Sequence, residues 1–136
     1  MAAARRKIDL RRVEECVERV LGRDERVLLA VVFGSVARGE PARDVDVGVY
    51  TAGELGVMEL ALYEAELVEC MGYEVDLVPL AEAPPLLRVE ALRGGRVVFS
   101  RGELLPIDLL LASEGELWDA RLKRRLVAGW AGGSEG

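Results

Sequence analysis

Histidine, asparagine and glutamine are absent from this 136-residue chain, and cysteine occurs only at Cys16 and Cys70. Without histidine the chain has no His/Cys cluster to hold zinc and no Ser-His or Cys-His pair for nucleophilic catalysis. The usual general base near neutral pH is missing as well. Any metal ion must therefore be held by oxygen ligands, and carboxylates must carry any acid-base chemistry.

The chain also lacks a basic excess and any long apolar run. Its 18 Lys and Arg residues against 24 Asp and Glu residues give a formal net charge of −6, whereas DNA-binding domains usually carry a basic excess. The longest apolar runs, such as VLLAVVF, are too short to span a bilayer, and no apolar segment follows the charged N-terminal residues. We therefore expect a cytoplasmic protein that binds neither nucleic acid nor membranes.

Hydrophobic periodicity predicts alternating helices and strands. Apolar residues recur at steps of three and four in the predicted helices, and they run continuously or alternate with polar residues in the predicted strands. We expect a single α/β (α+β) fold in which helices pack on a small mixed sheet, with the first two strands as antiparallel neighbours because their link is short. The predicted elements are helix 8–21, strand 26–33, strand 44–50, helix 54–71, strand 73–80, helix 84–92, strand 96–100 and helix 114–129.

One segment and one later strand have the pattern of a phosphate and metal site. Gly34 and Ser35 follow a predicted buried strand and begin a helical turn, where free backbone N–H groups and a hydroxyl can cradle a phosphate. Asp44 and Asp46 lie two residues apart on a strand, so their side chains share one face and repel each other unless a cation or water intervenes. Asp76 reaches the same face if its strand neighbours theirs. Three hard oxygen ligands suit Mg²⁺ bound to a nucleoside triphosphate.

This pattern resembles the motif of the polymerase-β-like nucleotidyltransferase superfamily, which has a Gly-Ser turn, a D-x-D strand and a third carboxylate on a later strand. The likeness is greatest to the minimal nucleotidyltransferase (MNT) family, small antitoxins paired with HEPN-domain toxins. The segments GSVARGEPARDVDVGVY and EVDLVPLAEAPPLLRVEALRGGRVVFSR carry the resemblance, which covers roughly residues 10–101. It implies a nucleotidyltransferase domain over residues 1–101, with residues 102–136 as a C-terminal helical extension of the same domain.

The resemblance also implies a reaction and its residues. An Mg²⁺-dependent enzyme of this kind transfers AMP from ATP to a hydroxyl, and in the antitoxin branch the acceptor is a tyrosine of the HEPN toxin. Asp44, Asp46 and Asp76 would be the catalytic residues and would hold two metal ions. Gly34 and Ser35 would bind the triphosphate.

Two arginines of the motif segment each have two interpretations. Arg38 either contacts a phosphate or is an exposed turn residue. Arg43 stands where the family often has serine, and it either contacts a phosphate or faces water. The whole chain has alternatives as well: a non-catalytic module that neutralises its partner by occlusion, or a nucleotide sensor that binds without transfer. Metal-dependent ATP binding would distinguish the enzyme from the occluding module.

The C-terminal helix has two interpretations too, and Pro106 is expected to break the apolar segment before it. The helix either docks on its own domain or forms a contact surface for a second copy or a toxin partner. Basic residues lie between the apolar ones, as is common at interfaces and near helix C-termini. The apolar stripe consists of Trp118, Leu122, Leu126 and Trp130, and the basic residues are Arg121, Lys123, Arg124 and Arg125.

Overall fold

A computed structural model describes residues 4–135 of the chain, and side chains are described for residues 4–129. Helices and strands alternate along this part of the chain, so the predicted α/β class is confirmed. The elements are α1 (Leu10–Leu21), β1 (Val27–Phe33), β2 (Asp44–Thr51), α2 (Val57–Met71), β3 (Glu74–Pro79), α3 (Pro85–Gly94), β4 (Arg96–Ser100) and α4 (Leu105–Glu135).

The strands form one mixed sheet in the order β3-β2-β1-β4. β1 pairs antiparallel with both β2 and β4, and β2 runs parallel to β3. A parallel pair needs a crossover connection, which α2 provides. Both the mixed sheet and the antiparallel first pair agree with the prediction from sequence.

Two hydrophobic cores lie on opposite faces of this sheet. Ala30 and Val32 of β1 pack in the core that contains α1 and α2. Val31 and Phe33 pack in the core formed with α3 and the first part of α4. Successive strand residues point to opposite faces, so a central strand covered on both sides is apolar throughout. This explains the continuous apolar run of β1.

A disulfide bond joins α1 to α2 on the first face. Cys16 lies on the buried side of α1, and Cys70 lies near the end of α2, with their Cα atoms 5.8 Å apart. The sequence pattern places each cysteine on an amphipathic helix but does not predict their pairing. Two helices must first pack at a particular register before their cysteines can meet.

The prediction for α4 was wrong at both ends. The helix runs from Leu105 to Glu135 without interruption, whereas the sequence predicted a break at Pro106 and a helix over 114–129. Pro106 occupies the first turn, where its missing N–H has no intrahelical acceptor and its fixed φ suits a helix. Although α4 has 31 residues, no helix within residues 4–135 combines the length and apolar character needed to cross a membrane.

The first half of α4 packs on α3. Ion pairs join α3 to this half, between Arg88 and Glu116 and between Arg93 and Glu114. The stripe beyond them is exposed: Trp118, Leu122 and Leu126 expose 65, 42 and 63% of their surface. Trp130, which the sequence adds to this stripe, has its side chain outside the described residues. The helix thus docks at one end and presents an apolar stripe at the other.

Candidate active site

The turn after β1 brings Gly34 and Ser35 to the end of the sheet. Residues 34–39 form a tight turn in which the Arg38 N–H donates to the Gly34 carbonyl at 3.3 Å and the Glu40 N–H donates to the Ser35 carbonyl at 3.0 Å. Gly34 has φ +76°, and a Cβ atom there would lie 2.5 Å from Asp46 Oδ2. Glycine is therefore required at position 34 for two reasons: the backbone has a left-handed conformation there, and the Asp46 carboxylate approaches closely.

The three predicted carboxylates lie on one side of the sheet. Val45 and Val47 of β2 pack in the core of α1 and α2, so Asp44 and Asp46 face the side that carries α3 and α4. In the parallel register of β2 and β3, Asp46 is the partner of Asp76. The sequence expectation that Asp76 lies on the neighbouring strand is thus met.

Asp46 has the most perturbed environment of the three. It is half-buried, whereas Asp44 and Asp76 are exposed. Burial, together with the negative charges of Asp44 and Asp76, raises the pKa of Asp46 to about 6, and the positive charge of Arg38 opposes this shift. A pKa raised by burial together with like charges is typical of carboxylates that hold a cation or a proton in their working state.

Arg38 lies beside the turn and contacts Ser35. Its guanidinium forms an ion pair with Glu40, and Nη2 lies 3.4 Å from Ser35 Oγ. The side chain is exposed, so a ligand can reach it. The Arg38 guanidinium thus lies next to the Ser35 hydroxyl, which the sequence analysis proposed for phosphate binding.

Two cavities flank the turn on the side of α3 and α4. The smaller has a volume of about 350 Å³, and charged residues predominate among those that line it: Arg5, Ser35, Ala42, Arg43, Asp44, Asp46 and Glu74. The larger has a volume of about 820 Å³, within the usual range for small-molecule sites. Its apolar lining residues include Leu86, Val89, Leu111 and Trp118. Gly34 of the turn also lines it, as do three positively charged residues, Arg38, Arg93 and Arg121.

Sequence reasoning missed part of both linings. Arg5 and Glu74 reach the smaller cavity through non-local packing, and no local motif marks them. Trp118 and Arg121 belong to the predicted stripe of α4, but their place in a cavity depends on how α4 crosses α3. Among the described side chains of residues 4–129, no three from His, Cys, Asp or Glu converge closely enough to form a ready-made metal site.

The fold is that of the nucleotidyltransferase class. A sequence profile of the family described as polymerase beta, nucleotidyltransferase, matches residues 15–104. The match covers most of the chain and both strands that carry the aspartates, and the chain therefore belongs to this family. Comparison with curated protein sequences gives no match.

Solved structures with the same fold include antitoxins in complex with their toxins. A toxin–antitoxin structure containing AMP-PNP has a chain with a TM-score of 0.76 and 19% identity, covering 87% of this chain and 97% of its own. A complex of tri-AMPylated Shewanella oneidensis HEPN toxin with MNT antitoxin contains a chain with a TM-score of 0.72 and 17% identity. The match covers 88% of this chain and 95% of that one. A protein described as a minimal nucleotidyltransferase is 33% identical, with a TM-score of 0.53, covering 64% of this chain and 90% of its own.

Proposed function

We propose that this chain transfers AMP from ATP to a hydroxyl group of a partner protein, and that it thereby acts as an antitoxin toward a HEPN-domain toxin. The observation that carries the proposal is the placement of Asp44, Asp46 and Asp76 on one side of the sheet, with Asp46 against Gly34 of the turn. The similar structures support it, because one contains AMP-PNP and another contains an AMPylated HEPN toxin bound to MNT antitoxin. An ATP-dependent reaction of this kind belongs in the cytoplasm.

The residues of the site fit Mg²⁺ in their chemistry. Asp44, Asp46 and Asp76 supply hard oxygen donors on one side of the sheet, as this ion prefers. The raised pKa of Asp46 reflects burial and the repulsion of Asp44 and Asp76, which a cation would relieve. Asp44 and Asp46 would hold the ions, and Asp76 would complete a second position. Bound Mg²⁺ would neutralise charge on the phosphates and on the leaving pyrophosphate.

The other residues have distinct tasks in the transfer. The acceptor hydroxyl attacks the α-phosphorus, the bond to the β-phosphate breaks, and pyrophosphate leaves. Asp76, which is exposed on β3, would accept the hydroxyl proton. Gly34 and Ser35 would hold the triphosphate through the turn, and Arg38 would add a charge-assisted contact to a phosphate oxygen.

The larger cavity suits the nucleoside part of ATP. It begins at Gly34 and Arg38 and continues between α3 and α4, with apolar side chains such as Val89, Leu111 and Trp118 along its walls. A purine ring buries well against apolar and aromatic surface. The triphosphate would then lie across the turn, with the nucleoside on one side and the carboxylates on the other.

The exposed half of α4 provides a surface for the acceptor protein or for a second copy. Trp118 both lines the nucleoside cavity and begins the exposed stripe of Leu122 and Leu126. Tryptophan and arginine are frequent at the centres of interfaces, and basic residues stand beside this stripe in an otherwise acidic chain. A partner bound here would present its hydroxyl close to the site.

The test is to incubate the chain with labelled ATP, Mg²⁺ and the HEPN-domain protein encoded beside it, and to measure the mass of both proteins. We expect a mass increase of one or more AMP groups on the HEPN protein, and none with the Asp46→Asn variant. Toxin neutralisation without any mass change would instead support the occluding module. Nucleotide binding without transfer would support the sensor.

A further inference from the structure

The segment before α1 is fixed beside the site by a backbone bridge. The Arg6 N–H donates to the Ala42 carbonyl at 3.0 Å, and the Ala42 N–H donates to the Arg6 carbonyl at 2.9 Å. The Arg6 guanidinium donates to the Gly72 carbonyl at 3.3 Å and lies 4.8 Å from the centre of the Tyr73 ring, a cation–π distance. The segment around Arg6 is therefore tied both to the loop that leads into β2 and to the end of α2.

This bridge directs Arg5 away from Arg6 and into the smaller cavity. Successive residues of an extended segment point to opposite sides, and Arg6 is turned toward Tyr73. Arg5 accordingly lines the cavity of about 350 Å³ that also contains Ser35 and the carboxylates of Asp44 and Asp46. The N-terminal segment thus adds an arginine to a cavity whose other lining residues come from the segment between β1 and β2, from β2 and from β3.

Arg5 and Arg43 are the two arginines of this cavity. Both line it, and none of the ion pairs found among the side chains of residues 4–129 uses either of them. Arg38 differs from them, because Glu40 already engages its guanidinium. A guanidinium keeps its charge at every physiological pH and offers paired donors that match phosphate oxygens.

We propose that Arg5 and Arg43 form an anion subsite for the β- and γ-phosphates of the nucleoside triphosphate, the part that leaves as pyrophosphate. The inference rests on the proposed function, and it deepens that function by assigning the triphosphate an anchor outside the Gly-Ser turn. Carboxylates alone would repel a polyphosphate, so a polyphosphate subsite here needs positive charge beside Asp44, Asp46 and Glu74. The ligand class is therefore polyphosphate, and AMP, which lacks these phosphates, gains nothing from Arg5.

The experiment compares ATP, AMP and inorganic tripolyphosphate, each titrated in the presence of Mg²⁺ by isothermal calorimetry. The variants are Arg5→Gln, Arg43→Gln and Arg5→Lys, with Arg12→Gln as the control because Arg12 is an exposed arginine of α1 that does not line the cavity. The backbone bridge of Arg6 does not use the Arg5 side chain, so the melting temperature of every variant should match the wild type.

We expect Arg5→Gln and Arg43→Gln each to weaken ATP and tripolyphosphate binding on the order of 10-fold, the value of one charge-assisted hydrogen bond. AMP affinity should change less than about twofold on the same argument, Arg5→Lys should keep most of the ATP affinity, and Arg12→Gln should match the wild type.

Two results overturn the inference while leaving the proposed function in place. The first is an Arg5→Gln variant that binds ATP as tightly as the wild type. The second is equal weakening of ATP and AMP, which would mean that Arg5 supports the fold of the site rather than the phosphates. Failure of the wild-type chain to bind either ATP or tripolyphosphate would overturn the proposed function together with the subsite.

Discussion

Replacing Asp46 by asparagine is expected to make the metal-free protein more stable at neutral pH, although the same change removes a residue proposed for catalysis. Burial and the charges of Asp44 and Asp76 raise the pKa of Asp46 from its ordinary 3.8 to about 6. At 1.36 kcal/mol per pKa unit, this difference corresponds to about 3 kcal/mol of unfavourable free energy when the group is ionised. Partial exposure screens the charge, so we expect about 1–2 kcal/mol.

The effect has a defined pH dependence. Because the pKa of Asp46 is higher in the folded protein, the folded state holds this proton more tightly than the unfolded chain does. The protonated group stabilises the fold fully below pH 3.8, and the contribution is lost as the pH rises through about 6. The Asp46→Asn variant has no such group. The two proteins should therefore unfold alike in acid, and the variant should be more stable above pH 6.

The assay is thermal and urea unfolding in EDTA at several pH values. A gain of about 1–2 kcal/mol should raise the melting temperature by about 3–8 °C for a domain of this size. Asp119→Asn is the matched control, because Asp119 is exposed on α4. Added Mg²⁺ and ATP should stabilise the wild type and not the Asp46→Asn variant. Equal stability of wild type and Asp46→Asn at pH 8, or a gain that Asp119→Asn reproduces, would refute the reasoning.

Three further predictions follow from the turn and the disulfide. Gly34→Ala should lower the free energy of unfolding by about 1–3 kcal/mol more than Gly39→Ala does. Both glycines have positive φ, but only at Gly34 would a Cβ atom meet Asp46. Equal losses of stability in urea unfolding would contradict this prediction. Ser35→Ala should weaken Mg²⁺-ATP binding about 10-fold and change the free energy of unfolding by less than about 1 kcal/mol; unchanged affinity by calorimetry would make Ser35 an ordinary turn residue. Reduction should lower the free energy of unfolding by about 4 kcal/mol, because the Cys16–Cys70 bond closes a long loop between residues 54 positions apart. The stability of the Cys70→Ala variant should not change when reductant is added. Identical urea denaturation of the reduced and the oxidised wild type would contradict this prediction.

The face of the sheet that carries Asp44 and Asp46 was predictable because its signal is local. Strict alternation along β2 fixes which side Asp44 and Asp46 face, since a shift of one residue would bury both carboxylates in the core of α1 and α2. The short link after Ser35 predicts the antiparallel pair. Placing Asp76 on the same face required one further assumption, that β3 neighbours β2. The structure meets this assumption, because α2 connects the two strands as a parallel pair.

The features that sequence did not predict depend on packing between distant elements. Arg5 enters the cavity only because Arg6 pairs with Ala42. Pro106 was interpreted as a break because proline both stops and starts helices, and only the fold shows which occurs. The larger cavity exists because α4 crosses α3 beside Gly34, an arrangement that no periodicity within either helix specifies.

The Cys16–Cys70 bond makes a covalent ring out of the centre of the chain. The ring contains β1, β2 and the turn between them, so it encloses Ser35, Asp44 and Asp46. A protease that cuts the exposed turn between β1 and β2 would open the ring without releasing a fragment, and the two strands would stay tethered at a high effective concentration. Asp76 lies outside the ring and joins it only through the pairing of β3 with β2. Under oxidising conditions a nicked molecule therefore keeps most of its site in one covalent piece.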